Sequence, residues 1–160
     1  METNNMKQII NILTKNNETI SVMESCTGGG VTNVITNIEG ASNVLKFSAV
    51  TYSNEYKIKM GVPKNIIEKY SVYSIETAIE MSKAITKFTN SDIGIGITGK
   101  LNRPDQNNNY GKDNEVFVSI YIKKYNKNYN FNIITTKNTR EENKNTIIEK
   151  LENRLLELLN

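Results

Sequence analysis

Four side chains stand where their chemistry can be shared. Ser25 lies in the run Glu24-Ser25-Cys26-Thr27-Gly28-Gly29-Gly30, Tyr52 and Lys57 in Thr51-Tyr52-Ser53-Asn54-Glu55-Tyr56-Lys57, and Thr98 just before Gly99. A hydroxyl becomes a nucleophile when a nearby base takes its proton, and a lysine is such a base only while burial or a neighbouring cation keeps it neutral. A glycine-rich turn between strand and helix brings backbone N–H groups close to an anion or a developing oxyanion. The sequence has no histidine, which removes the Ser-His-Asp triad, the Cys-His pair and His-ligated zinc together. A hydrolytic base here is therefore a lysine, a tyrosine or a carboxylate. The same residues also have plainer uses. The turn can be a tight strand-to-helix connection capped by Ser25 or Thr27, Lys57 a surface charge, Tyr52 and Thr98 strand-end residues, and Cys26 a small buried side chain. The turn is not a P-loop, because no Gly-Lys-Ser/Thr follows at the required spacing.

The elements around these residues follow from hydrophobic period and capping signals. Met6, Ile9, Ile10 and Leu13 recur at helical spacing within 4–16. Residues 19–23 predict a short buried strand leading into Ser25, and 31–37 a helix after the glycines. Residues 45–52 predict a second strand ending at Tyr52. Ser53 or Asn54 caps a short helix carrying Lys57, and Pro63 suits the first turn of another, running to Tyr70. Ser74 caps a longer helix to Thr89, with Ile75, Ala78, Ile79, Ser82 and Ile85 along one face. Residues 92–98 predict a third buried strand in which glycines alternate with isoleucines, permitting close approach of a helix or backbone. A long polar loop, 99–114, follows. Residues 115–122 and 129–136 predict an antiparallel hairpin. Thr139 and Glu142 have capping-box spacing before a last helix with Ile147, Ile148, Leu151, Leu155 and Leu158 as its buried stripe. This order predicts a single three-layer α/β domain over 1–160, a mixed sheet with helices on both faces. Ligands of open α/β sheets bind beyond the carboxyl ends of strands, where Ser25, Tyr52 and Thr98 all fall.

Composition excludes several partners. The 20 basic and 17 acidic residues are interspersed, net charge is +3, and Lys123-Lys124 is the longest basic cluster. With no basic stripe or stacking module, no nucleic-acid partner is expected. No apolar run approaches the ~20 residues that span a bilayer, so no membrane association is expected. The single cysteine forms no intrachain disulfide, and the N-terminus carries no charged-then-apolar signal. A cytoplasmic protein is the expectation.

The strings Glu24 to Gly29, Val50 to Lys57 and Gly61-Val62-Pro63, with Tyr73-Ser74 before a long helix and Ile97-Thr98-Gly99, resemble the CinA C-terminal domain family, which includes nicotinamide-nucleotide amidases. The likeness is clear over residues 5–122 and looser in the last helix. It implies an α/β fold, a homo-oligomer, and a deamidation of nicotinamide mononucleotide to nicotinate mononucleotide and ammonia that needs no metal or cofactor. By matching positions, it implies Ser25 as nucleophile, Lys57 as its base and Tyr52 as an aid to proton transfer or orientation. Thr27, Gly28, Gly29, Thr98, Gly99 and Arg140 become substrate-binding residues on the same grounds. One departure stands out. After Gly99 the family continues with Ala-Gly-Pro and a glycine-rich loop, whereas this chain runs from Lys100 to Asn109 with charged and bulky residues. Lys100 and Arg103 are candidate phosphate contacts, or members of a solvated loop. The departure leaves a second reading, a non-catalytic pyridine-nucleotide-binding protein.

Overall fold

Successive side chains of a strand point to opposite faces of its sheet, and here that alternation decides which helix covers which face. In the computed structural model, which describes residues 5–160, the strands are β1 (Ile20–Glu24), β2 (Ala49–Val50), β3 (Ile93–Gly99), β4 (Glu115–Ile122) and β5 (Lys127–Ile134). They form one sheet of order β2-β1-β3-β4-β5, parallel through β2, β1 and β3 and antiparallel through β4 and β5.

The isoleucines of β3 face one way, together with Ile20 and Val22 of β1 and Val116, Val118 and Ile120 of β4. They pack in one core with α1 (Asn5–Lys15), α2 (Gly30–Thr36) and α6 (Arg140–Leu159). Gly94 and Gly96 of β3 face the other way, and α5 (Ile75–Thr89) lies directly on them. A Cβ at Gly94 would collide with Thr86 Oγ1 and the Ser82 carbonyl, and one at Gly96 with the Ala78 carbonyl. Beside α5 lie α3 (Asn54–Lys59) and α4 (Lys64–Tyr70), and a smaller core of Met23, Val62, Ile67, Met81 and Ile85 fills this side. The fold is thus a three-layer α/β domain.

Three helices start on the predicted caps. Ser53 accepts from the Tyr56 N–H, Ser74 from that of Thr77 and Thr139 from that of Glu142, whose carboxylate in turn accepts from Thr139 Oγ1. Each such cap is worth about 1 kcal/mol. Pro63 stands at the cap position of α4 rather than inside its first turn. Asn4, predicted to begin α1, lies outside the described residues.

Two strand expectations need correction. The strand expected over 45–52 shrinks to Ala49–Val50. Leu45 N–H instead closes a turn on the Ala41 carbonyl, and the Ser48 hydroxyl accepts the Val22 N–H in place of a ladder carbonyl. Phe47 turns outward onto Phe88, ring centroids 5.2 Å apart. The second arm of the hairpin begins at Lys127, two positions before the expected Tyr129. Asn126, at φ 48°, makes a turn tight enough to pair Ile122 with Lys127. One position past the end of the arm at Ile134, the Thr135 N–H still donates to the carbonyl of Asn114, its partner in register. In α6, Leu158 is only partly buried.

Candidate active site

The parallel half of the sheet delivers its chemistry at one edge, where β1, β2 and β3 all end. Ser25 follows β1 directly. The Thr51 N–H donates to the Glu24 carbonyl at 2.8 Å, holding the end of β2 against the end of β1. The Ser53 cap then starts α3, and its first turn carries Lys57 inward. Lys57 is 2% exposed; its Nζ lies 2.9 Å from Ser25 Oγ and 2.6 Å from the Thr51 carbonyl oxygen. No carboxylate is among its partners in the described residues. Burial lowers its pKa from 10.5 to about 8, with the Cys26 thiol pulling weakly the other way.

These contacts suit a neutral amine. A neutral amine donates to the Thr51 carbonyl and leaves its lone pair facing the Ser25 O–H, the arrangement a general base needs. A group with pKa near 8 is neutral in roughly a tenth of molecules at pH 7. The neighbouring thiol is not a rival nucleophile. Burial pushes Cys26 up to about 12, against the pull of Lys57, so it remains a thiol at neutral pH.

Neither Ser25 nor Thr27 caps the helix that follows. The cap position of α2 is Gly29, in the left-handed region at φ 96°. Glu24 supplies the missing acceptor. Its fully buried carboxylate takes the N–H groups of Val31 and Thr32, each at 3.0 Å, and the hydroxyls of Thr27 and Thr32 at 2.6 and 2.7 Å. That carboxylate occupies the end of the helix where a substrate anion would otherwise sit. Thr27, expected to touch substrate, is 1% exposed and spends its hydroxyl on Glu24. Gly28 and Gly29 are also absent from the cavity wall. The sequence signal for Glu24 was its place between a buried strand and a glycine turn.

In front of Ser25 and Lys57 opens a cavity of about 620 Å³, the size of a small-molecule site. Gly99 and Arg140 line it, and Thr98 does not. The Thr98 hydroxyl is buried and donates to the Val72 carbonyl at 2.9 Å, which anchors the segment bearing Tyr73. Tyr52 stands at the rim, 63% exposed, and its hydroxyl accepts from Arg140 at 3.1 Å instead of bridging Ser25 and Lys57. Asn143 keeps the start of α6 nearby by donating to the Leu101 carbonyl at 3.2 Å.

The far wall is the long loop. Tyr73 donates its phenol to Asp105, whose carboxylate also takes the Asn107 N–H and the Asn108 side chain. Asn108 accepts in turn from Asn54 on α3. Burial, then the Asp105 contact, pushes the Tyr73 phenol above its ordinary range. Burial also presses Asp105 upward, but the hydrogen bonds from Tyr73, Asn107 and Asn108 outweigh it and hold the carboxylate below its usual value. Lys100 is buried in this wall, whereas Arg103 is exposed and donates to the Asn102 and Asn138 carbonyls. The loop is not simply a solvated surface segment. Tyr73 and Asp105, which sequence reasoning did not place here, lacked any local signal because they are brought together from 32 residues apart.

No described helix is long and apolar enough to cross a membrane. Comparison with known proteins agrees with the fold. A crystal structure of a competence or damage-inducible protein from Enterobacter asburiae superposes with a TM-score of 0.89 at 20% identity, covering 98% of this chain and 96% of that one. A CinA superfamily protein from Escherichia coli gives 0.85 at 23% identity, covering 97% and 88%. Among sequences, a CinA-like protein of Kosmotoga olearia is 47% identical over 92 residues, 57% of this chain and 22% of that protein. A CinA-like protein of Dictyoglomus thermophilum is 35% identical over 123 residues, 76% of this chain and 30% of that protein. The chain thus spans less than a third of the length of these sequence relatives. The sequence profile of the CinA C-terminal domain matches residues 2–159, and the chain belongs to that family.

Proposed function

We propose that this chain is a nicotinamide-nucleotide amidase, converting nicotinamide mononucleotide to nicotinate mononucleotide and ammonia through Ser25 and Lys57. The observation that carries this reading is the buried contact of 2.9 Å between Lys57 Nζ and Ser25 Oγ, with the amine lowered to about 8. A buried lysine with no anionic partner costs stability, and the use that offsets such a cost is proton transfer.

In this reading neutral Lys57 takes the Ser25 proton as Oγ attacks the carboxamide carbon. The N–H of Cys26, next in the chain after the nucleophile and on the cavity wall, donates to the oxyanion in this reading. Protonated Lys57 then gives its proton to the departing nitrogen, and ammonia leaves. Water enters, loses a proton to Lys57 and hydrolyses the acyl-enzyme. The cationic pyridinium withdraws electrons from the carboxamide and, by like-charge repulsion, favours neutral Lys57. Tyr52 and Arg140, joined at the rim, frame the entrance. The family resemblance supports a homo-oligomer in the cytosol as the working state.

The test is ammonia release from nicotinamide mononucleotide by the purified protein, and its loss in Ser25→Ala and Lys57→Ala. Full activity in both variants would refute the mechanism. Saturable mononucleotide binding with no turnover would instead favour the non-catalytic reading.

A further inference from the structure

The loop after β3 begins with a lysine whose charge belongs in water and is kept from it. Lys100 is 4% exposed. Its backbone is fixed on both sides, the N–H donating to the Glu115 carbonyl at 3.1 Å and the carbonyl accepting from Thr135 Oγ1 at 3.5 Å. The ammonium lies 4.8 Å from the centroid of the Tyr73 ring and 3.5 Å from Asp113 Oδ1. The Asp113 side chain is 55% exposed, so it keeps much of its hydration and compensates the buried cation loosely. A buried ammonium compensated in this way, with a cavity in front of it, is a place for a second anion.

The other cations of the cavity are engaged elsewhere. Arg103 is turned onto backbone carbonyls, Arg140 is exposed and joined to Tyr52, and Lys57 faces the nucleophile. The helix end behind Ser25 is closed to anions by Glu24. The sheet register also gives a suitable spacing. Met23 pairs with Gly96, so continuing the two strands brings Ser25 level with Thr98. Lys100 is two residues further along the neighbouring strand, roughly 7 Å onward and roughly 5 Å aside. A pyridine ring and a ribose together bridge such a gap.

We propose that Lys100 receives the phosphate of the substrate, and that Asp113 is a placeholder anion which the phosphate displaces. The proposal rests on the reading of the cavity as a pyridine-mononucleotide site. It makes Lys100 a specificity residue of this chain.

The two partners of the ion pair are expected to act in opposite directions. Lys100→Met raises KM for nicotinamide mononucleotide by about tenfold or more, the worth of one charge-assisted contact, and changes kcat by less than about threefold. It leaves turnover of nicotinamide riboside, which has the same carboxamide and no phosphate, as it was. Lys100→Arg recovers part of the loss. Asp113→Asn lowers KM for the mononucleotide by about a few-fold, because the phosphate no longer competes with a carboxylate. Calorimetric binding of nicotinate mononucleotide and of inorganic phosphate should follow the same order, whether or not the protein turns over substrate. If the pair only braces the loop, all of these variants weaken both substrates alike, and the proposal is overturned. Tight product binding with that order of variants but no ammonia release would end the amidase reading and keep the anion site. Turnover of the mononucleotide unaffected by Lys100→Met would end the anion site and keep the amidase.

Discussion

The two ends of the cavity each bury a lysine, and they compensate it differently. At the nucleophile end, Lys57 meets a hydroxyl and a carbonyl, both neutral, and its proton is held weakly. At the loop end, Lys100 meets a carboxylate and the face of an aromatic ring. The residue type is the same, and the partners differ. One amine faces a nucleophile, the other an anion. Both ends rest on the same strand edge, yet only the first is built from the tight hydrogen bonds between β1 and β2.

The sharpest way to break this contrast is to remove the amine or the alcohol. Ser25→Ala and Lys57→Ala should each reduce kcat by about a thousandfold or more, with far-ultraviolet circular dichroism unchanged. Comparable activity after either change would place the chemistry elsewhere. The pH profile is the next largest effect. Since Lys57 must be neutral, kcat/KM should fall about tenfold per pH unit below a pKa near 8 and level off above it. A profile flat between pH 6 and 8 would show that the amine is not the base.

Stability gives a third handle, with a sign of its own. The folded pKa of Lys57 lies below the unfolded one, so the unfolded chain binds more protons between about 8 and 10.5. Below that window the penalty is present in full, about 3 kcal/mol; it is relieved as pH rises through the window and gone above it. Lys57→Met removes the buried amine but orphans the Thr51 carbonyl, at about 1–3 kcal/mol. The variant should therefore be inactive yet about as stable as the parent at pH 7, by chemical denaturation. A large loss of stability would make Lys57 a structural residue. The smallest effect is expected from Cys26→Ala, which should keep kcat within about threefold, since the protonated thiol does no chemistry. Loss of turnover there would move the nucleophile by one position.

Much of the scaffold was legible in the chain because it rests on local rules. The alternation of glycine and isoleucine in β3 predicted a buried strand open to close approach by a helix or a backbone, and it is α5 that lies on Gly94 and Gly96. Ser53, Ser74 and Thr139 cap as their types and positions suggest. The second strand misled, because an apolar run carries the same pattern whether its backbone joins a ladder or turns away. At Ser48 a side chain took the place of a ladder acceptor. Thr27 and Thr98 carry a related ambiguity. A hydroxyl at a strand end looks the same in sequence whether it meets a ligand or a neighbouring loop, and theirs go to Glu24 and to the Val72 carbonyl.

By itself the sequence narrowed the chemistry open to the chain. With no histidine and a serine in a strand-to-helix turn, a hydrolytic reading left lysine, tyrosine or a carboxylate as base, and the family resemblance implied Lys57. Tertiary structure alone decided that Lys57 is buried with no carboxylate among its described partners, that Glu24 takes up the N–H groups at the start of the helix after the nucleophile, and that Lys100 and Asp105 both contact Tyr73. The physical reason is that a side chain's proton affinity and contacts depend on its desolvation and on neighbours distant in the chain. Local sequence encodes neither.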